Sequence, residues 1–241
     1  MFQITIKNPP AHILSVLMAR HRVSVVIPNM NEERLFGIIR DVRRLLGANA
    51  EIIVVDKSSD EFYGRLRKTK VKIVRQRDRG VAQAIMQGMR IAKGDILTSI
   101  DGDGTHDPDG LPRAVRIVES GRLDFVLGNR LAALQEGSMG PYILFGNSAL
   151  SAIFNALYGT GLHDITTGLF VMRREVFEKM KDLEPYSTGT AFFIAEAAKA
   201  GYRIGEVDIR YYERQEGQSK LARSKFFWGI RAAWLFLLKR V

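Results

Sequence analysis

The chain of 241 residues is expected to fold as an α/β domain, a mainly parallel sheet covered by helices on both faces. Three observations carry this expectation. Between residues 22 and 127, short continuous apolar runs alternate with segments whose apolar residues recur at helical spacing. The runs lack an alternating polar face, so they suit strands buried on both sides. Their carboxyl ends carry polar and charged residues, where open α/β sheets bind ligands.

Val23–Ile27 reads as the first strand. Asn31 is placed to cap a helix whose Leu35, Ile38, Ile39, Val42 and Leu46 share one face. Glu51–Val55 is the second strand, and Val71–Val74, after a polar helix or loop, the third. Arg79–Lys93 is helical and Gly94 stops it. Asp95–Ile100 is the fourth strand. Asp107-Pro108 then supplies an N-cap and a proline at the first helical position, opening helix 108–120 before strand Leu123–Leu127. Beyond residue 130 the pattern loosens. It predicts a loop at Gly137–Pro141, a long helix Tyr142–Tyr158 and a strand Thr167–Met172. Helices near 174–181 and 188–200 and a strand Tyr202–Tyr212 follow. Residues 213–220 are polar, and 221–240 form an apolar helix. No repeat or linker interrupts the chain, which favours one domain.

There is no cysteine, so disulfides and thiolate metal sites are excluded, and a reducing, cytoplasmic setting is compatible. The net charge of +10 calls for an anionic partner: nucleic acid, lipid headgroups or a phosphorylated substrate. No signal-peptide pattern is present, and Met18 offers an alternative start before the first strand. No run reaches the roughly 20 apolar residues needed to span a bilayer. The nearest, Phe226–Leu238, is too short and contains Arg231.

The chemistry concentrates at strand ends. Asp101-Gly102-Asp103 follows the fourth strand. Two carboxylates one residue apart at the end of a buried strand are costly unless a cation meets them. With glycine between them, they suit a hard divalent cation that takes its other ligands from water and a diphosphate. The first strand ends in Pro28-Asn29-Met30-Asn31-Glu32, the second in Asp56-Lys57-Ser58-Ser59-Asp60 and the fifth in Gly128-Asn129-Arg130. All four segments are expected to line one crevice.

This ordered set resembles the inverting family-2 glycosyltransferases of the GT-A fold, a Rossmann-like nucleotide-diphospho-sugar transferase fold. The residues that carry the resemblance are Val23–Pro28 with Asn31-Glu32, Ile52–Asp56, Arg79-Gly80 with Gly88, and Asp101-Gly102-Asp103. The second half, with Gly128–Arg130, Gly146-Asn147, Asp164–Gly168, Glu206–Arg210 and Arg214–Lys220, is similar to the polyprenyl-phosphate branch, the dolichyl-phosphate mannose and glucose synthases. The resemblance implies that Asp101 and Asp103 hold Mg²⁺ or Mn²⁺. It implies that Pro28, Asn31, Glu32, Asp56, Lys57, Arg79, Gly80 and Gly102 contact a UDP- or GDP-linked sugar. Arg130 would meet the acceptor phosphate or the donor diphosphate, and Arg214, Ser219 and Lys220 would close over phosphates. A polyprenyl or dolichyl phosphate is the implied acceptor. With a hydroxyl acceptor, soluble or protein-linked, a base is needed and Asp164 is the candidate. Residues 22–220 are then the catalytic domain, 1–21 an extension, and 221–241 an interface helix. That helix would attach the protein to the anionic cytoplasmic face of a membrane, or to a membrane-anchoring subunit.

Three departures stand out. Lys57 replaces a second Asp that usually helps read the nucleoside, Met30 replaces an aromatic, and Thr105 replaces a Gln that some mannose synthases add to the metal site.

Other readings are weaker. Asp101–Thr105 also matches the nucleophile motif of haloacid-dehalogenase-type phosphatases, but there it follows the first strand, and no later acidic pair is found here. A calcium loop needs glycine and glutamate where this chain has His106 and Pro112. His106 reads as a turn residue packed beside the metal, and Arg130 reads equally well as a structural ion-pair partner of Asp103. Nucleic-acid binding finds no signature beyond scattered arginines.

Overall fold

A computed structural model describes residues 22–135, 138–185 and 189–213. In chain order the elements are β1 (Val23–Asn29), α1 (Leu35–Leu46), β2 (Glu51–Asp56), α2 (Asp60–Leu66), β3 (Lys72–Arg75), α3 (Val81–Ile91) and β4 (Ile96–Ser99). They continue as α4 (Leu111–Glu119), β5 (Phe125–Leu134), α5 (Pro141–Tyr158), β6 (Phe170–Arg173), α6 (Arg174–Glu178), α7 (Ala191–Lys199) and β7 (Ile204–Tyr211).

The strands form one sheet in the order β3-β2-β1-β4-β6-β5-β7. All neighbours are parallel except β6, which runs antiparallel between β4 and β5. β1 pairs with β2 through Asn29↔Asp56, so both strands end level with each other. A mainly parallel sheet is stable only with both faces covered. One face carries α1 and α4, with Leu35, Ile38, Val42, Leu111 and Val115 packed on Val25, Ile27 and Val171. The other carries α3, α5 and α7, with Ile85, Met89, Phe154 and Phe193 packed on Val26, Val55 and Phe170. Each large apolar side chain buried this way contributes about 1.5–3 kcal/mol.

Local details differ from expectation at three points. Asn31 does not cap α1: the cap position is Arg34, without a side-chain hydrogen bond, and the Leu35 N–H instead donates to the Glu32 carbonyl. Gly94 does not stop α3, which ends at Ile91. It lies where the chain crosses β1, and a methyl there would come within 2.5 Å of the Arg22 carbonyl oxygen. β5 does not end at Arg130 but runs to Leu134 with a register shift between Asn129 and Ala133, so Arg130 lies within an irregular stretch of strand. Such irregularities re-aim side chains next to sites. Asp107 does act as a cap, accepting from the Asp109 N–H at 3.0 Å, though the first turn is a 3₁₀ turn, Pro108–Gly110.

Candidate active site

Asp56, at the end of β2, is wholly buried. Its Oδ1 accepts from Asn29 Nδ2 at 2.7 Å and the Ser58 hydroxyl at 2.6 Å, and its Oδ2 from the Ser58 N–H at 3.2 Å and Arg75 Nη1 at 3.1 Å. Arg75 also donates to the Ser58 carbonyl at 2.6 Å and lies 3.9 Å from the centre of the Tyr63 ring. Asp56 thus ties the ends of β1, β2 and β3 together. Asn31 joins this network from a left-handed backbone (φ 54°): its N–H donates to Ser58 Oγ at 2.7 Å and its Oδ1 accepts from the Ser59 N–H at 3.0 Å. On the open side, Pro28 and Glu32 are half-buried, and Lys57 and Arg79 are exposed. Gly80, at φ 106°, precedes the first residue of α3. Asn29, Ser58 and Arg75 carry no recognisable motif. The bonds that bring Asn29 and Arg75 to Asp56 and Ser58 span 17 to 29 positions.

Just past β4, Asp101, Asp103 and His106 bring ligand atoms within 4.8 Å of one another. Gly102 between them is buried against β1, where a methyl would lie 3.3 Å from the Pro28 carbonyl oxygen. The hydrogen bonds around this cluster run in one direction. The Gly168 N–H donates to His106 Nε2 at 3.0 Å, which makes that nitrogen an acceptor and puts the ring proton on Nδ1. Nδ1 lies 3.2 Å from Thr105 Oγ1 and 3.6 Å from an Asp101 oxygen. The Thr105 hydroxyl donates in turn to Asp103 Oδ1 at 2.8 Å, and the Thr105 N–H to the same oxygen at 3.1 Å. Both imidazole nitrogens are therefore engaged, and His106 packs edge-on against Tyr211 at 5.4 Å between ring centres. The ligand set left for a cation is carboxylate oxygen, which fits Mg²⁺ or Mn²⁺. Thr105 braces Asp103.

Burial first, then the Arg130 cation, lowers the His106 pKa to about 4. The folded ring stays neutral where an unfolded histidine, with an ordinary value of about 6.5, takes up a proton. Stability from this group is complete above that value and is lost as pH falls towards 4. At pH 5 the loss is about 2 kcal/mol. Urea unfolding at pH 7 and pH 5 should show this decline, and His106→Gln should flatten it; an equal decline in the variant would assign the effect elsewhere.

Arg130 is buried and forms a two-pronged pair with Asp164, Nε to Oδ2 at 2.6 Å and Nη2 to Oδ1 at 2.8 Å. Burial alone would lower the Arg130 pKa; the Asp164 carboxylate outweighs it and raises it. Burial would likewise raise Asp164, but Arg130 holds it below the usual carboxylate range. Asp164 also accepts from the Arg130 N–H and from the N–H and hydroxyl of Thr166. The pairing expected between Arg130 and Asp103 is thus made with Asp164. Asp164, the candidate base, is fully buried with both oxygens engaged. Glu206 on β7 holds the loop in place, accepting from the His163 and Asp164 N–H groups at 2.9 and 2.8 Å. The guanidinium lies 5.2 Å from the Tyr211 ring centre. Arg214, Ser219 and Lys220 lie outside the described residues, as do the 1–21 extension and the 221–241 helix.

The arrangement places an acidic pair, a buried arginine and the Asp56 hydrogen-bond network along the carboxyl edge of one sheet. Open α/β sheets bind their ligands at this edge. Comparison with known proteins agrees. Residues 24–181 match the glycosyl transferase family 2 profile. A dolichyl-phosphate hexose transferase of Haloferax volcanii is 30% identical over 201 residues, covering 83% of this chain and 86% of that protein. A dolichol-phosphate mannosyltransferase of Pyrococcus furiosus is 29% identical over 230 residues, covering 87% of this chain and 62% of that protein. The fold is shared with glucosyl-3-phosphoglycerate synthase of Mycobacterium tuberculosis, solved with Mn²⁺, UDP and phosphoglyceric acid, at a TM-score of 0.73 and 20% identity over 98% of this chain and 84% of that one. The chain has the GT-A fold and belongs to glycosyl transferase family 2, among whose members it resembles the dolichyl-phosphate hexose transferases.

Proposed function

We propose that the protein is a metal-dependent, inverting transferase that moves a hexose from a UDP- or GDP-linked donor to a polyprenyl or dolichyl phosphate. The observation that carries this reading is the Asp101–Asp103 carboxylate pair with the Arg130 cation near enough for Asp101 to act on it. Carboxylates that suit a cation–diphosphate pair sit within electrostatic reach of a guanidinium that suits a second phosphate. Asp101 and Asp103 would hold Mg²⁺ or Mn²⁺, and the ion would supply positive charge to offset that of the departing nucleoside diphosphate. Pro28, Glu32 and Lys57 border the nucleoside, and Asp56 supports that wall from behind. Arg79, Gly80, Arg214, Ser219 and Lys220 complete the phosphate environment.

A lipid phosphate is already an anion, so it attacks the anomeric carbon without a base. Asp164 supports this choice of acceptor. With Arg130 and Thr166 donating to both its oxygens, it is placed to orient Arg130 rather than to take a proton from a hydroxyl. A hydroxyl acceptor is the second reading, favoured only by the fold shared with a synthase solved with phosphoglyceric acid. Residues 22–220 form the catalytic domain in this reading. The 221–241 segment attaches it to the anionic cytoplasmic leaflet or to an anchoring subunit. Among the described residues no helix is long and apolar enough to cross a membrane.

A panel of radiolabelled UDP- and GDP-sugars with dolichyl phosphate, with and without EDTA, tests the proposal. Transfer should require the metal and fall at least about 10²-fold in Asp103→Asn with the fold intact. Transfer that survives EDTA would overturn the metal assignment, and transfer only to hydroxyl acceptors would overturn the lipid phosphate.

A further inference from the structure

Asn129 pairs with Asp208 at the point where β5 loses its register with β7. From Asn129↔Asp208 to Ala133↔Arg210, β5 advances four positions and β7 only two, so β5 carries two extra residues. Bulges are rare between parallel strands and gather next to sites. Along β5 the N–H groups alternate in direction: that of Phe125 donates to Arg203 on the β7 side, and that of Gly128 to Leu169 on the β6 side. The Leu131 N–H is therefore due to face β7. It donates instead to Asn129 Oδ1 at 3.0 Å, so the side chain replaces the carbonyl that β7 no longer offers. Because Leu131 must meet an oxygen, the amide nitrogen of Asn129 points the other way, and it donates to Asp208 Oδ1 at 3.2 Å. One buried side chain thus caps the bulge and ties it back to β7.

β7 holds the other half of the Arg130–Asp164 pair as well. Glu206 accepts from the Asp164 N–H at 2.8 Å. Glu206 and Asp208 are two positions apart, so they leave the same face of the strand about 7 Å from each other. Arg130 gives Nε and Nη2 to Asp164, and Nη2 also to Thr166. The remaining end, Nη1, is the one left for a phosphate. Its position depends on where the bulge sets the Arg130 backbone.

We propose that Asn129 is a positioning residue: through Asp208 it fixes the β5 bulge against β7 and so sets Arg130 where Nη1 meets the acceptor phosphate. This rests on the role given to Arg130 in the function proposed above.

Asn129→Asp tests it. The new carboxylate still accepts from the Leu131 N–H, but it meets Asp208 with no proton between them. The KM for dolichyl phosphate should rise about tenfold or more, while the KM for the sugar nucleotide stays within about twofold. Adding Asp208→Asn restores a donor with the polarity of the pair reversed, and the acceptor KM should return to near its original value. Asn129→Ala removes both bonds without adding charge and should raise the same KM; it carries the test if Asn129→Asp does not fold. The ¹⁵N-edited resonance of the Arg130 Nε–H, assigned by its absence from Arg130→Lys, gives a reading that needs no acceptor. It should shift or broaden in Asn129→Asp and return with Asp208→Asn. An unchanged acceptor KM would overturn the proposal, as would a rise in both KM values that Asp208→Asn does not reverse. If the unaltered protein transfers sugar to no lipid phosphate, the acceptor reading fails by itself. The resonance then decides: a signal moved by Asn129→Asp and restored by Asp208→Asn upholds the placement of Arg130, and one that does not move overturns this inference too.

Discussion

Gly168→Ala is expected to lower kcat/KM by at least about 10²-fold while the protein stays folded. A methyl at residue 168 would overlap the Asp101 carboxylate. The backbone there is not left-handed, so alanine adds no conformational strain of its own. The conflict is steric and falls on one candidate ligand. Asp101 has to swing away, or the Gly168 N–H has to leave His106, which loosens the brace that runs through Thr105 to Asp103. Mn²⁺ affinity measured by electron paramagnetic resonance with UDP present should fall together with activity, and far-ultraviolet circular dichroism should not change. An alanine variant with unaltered Mn²⁺ affinity would show that Asp101 functions away from its observed position.

The second large effect concerns Arg130 and Asp164. Arg130→Met should cost about 3–5 kcal/mol of stability, because it strands a carboxylate with no exposure to solvent. Asp164→Leu strands the guanidinium and should cost a similar amount. The double variant removes both charges and should recover most of the loss, since an apolar pair often replaces a buried ion pair without penalty. Transfer should remain absent in all three. Urea unfolding and the donor–acceptor assay read the two properties separately. Transfer restored in the double variant would reduce Arg130 to a structural residue.

The stability and activity of this site depend on unequally legible features. The strands of the first half can be read directly because each is buried on both faces, so every residue of Val23–Ile27 or Ile52–Val55 is apolar or small. The Asp101–Asp103 pair is equally plain, since both acids sit in one tripeptide directly after such a strand. The end of β5 is not legible, because its polar Asn129-Arg130 looks like the close of a strand, whereas a local register shift lets pairing resume with Arg210 and Tyr211. Nor can local pattern show that β6 runs against its neighbours. The Arg130–Asp164 pair spans 34 positions and the Asn29–Asp56 bond spans 27, and such partners are chosen by topology. The same holds for Asn31, whose residue type suits a helix cap and also suits the left-handed turn it occupies.

The insertion of β6 between β4 and β5 also orders events during synthesis. β1 to β4 can assemble from residues 23–99, and the Asp-x-Asp turn follows at once. β5 has no place in the sheet until β6 arrives, because β4 pairs with β1 and β6 and not with β5. A nascent chain that has just exposed Asp101 and Asp103 must wait for Gly168–Arg173 before the cluster is braced, and until then one side of β4 is an open edge. Pairings this distant in sequence form slowly. Chains stopped short of residue 173 should therefore be the ones that aggregate, through β4, and that need chaperone protection most.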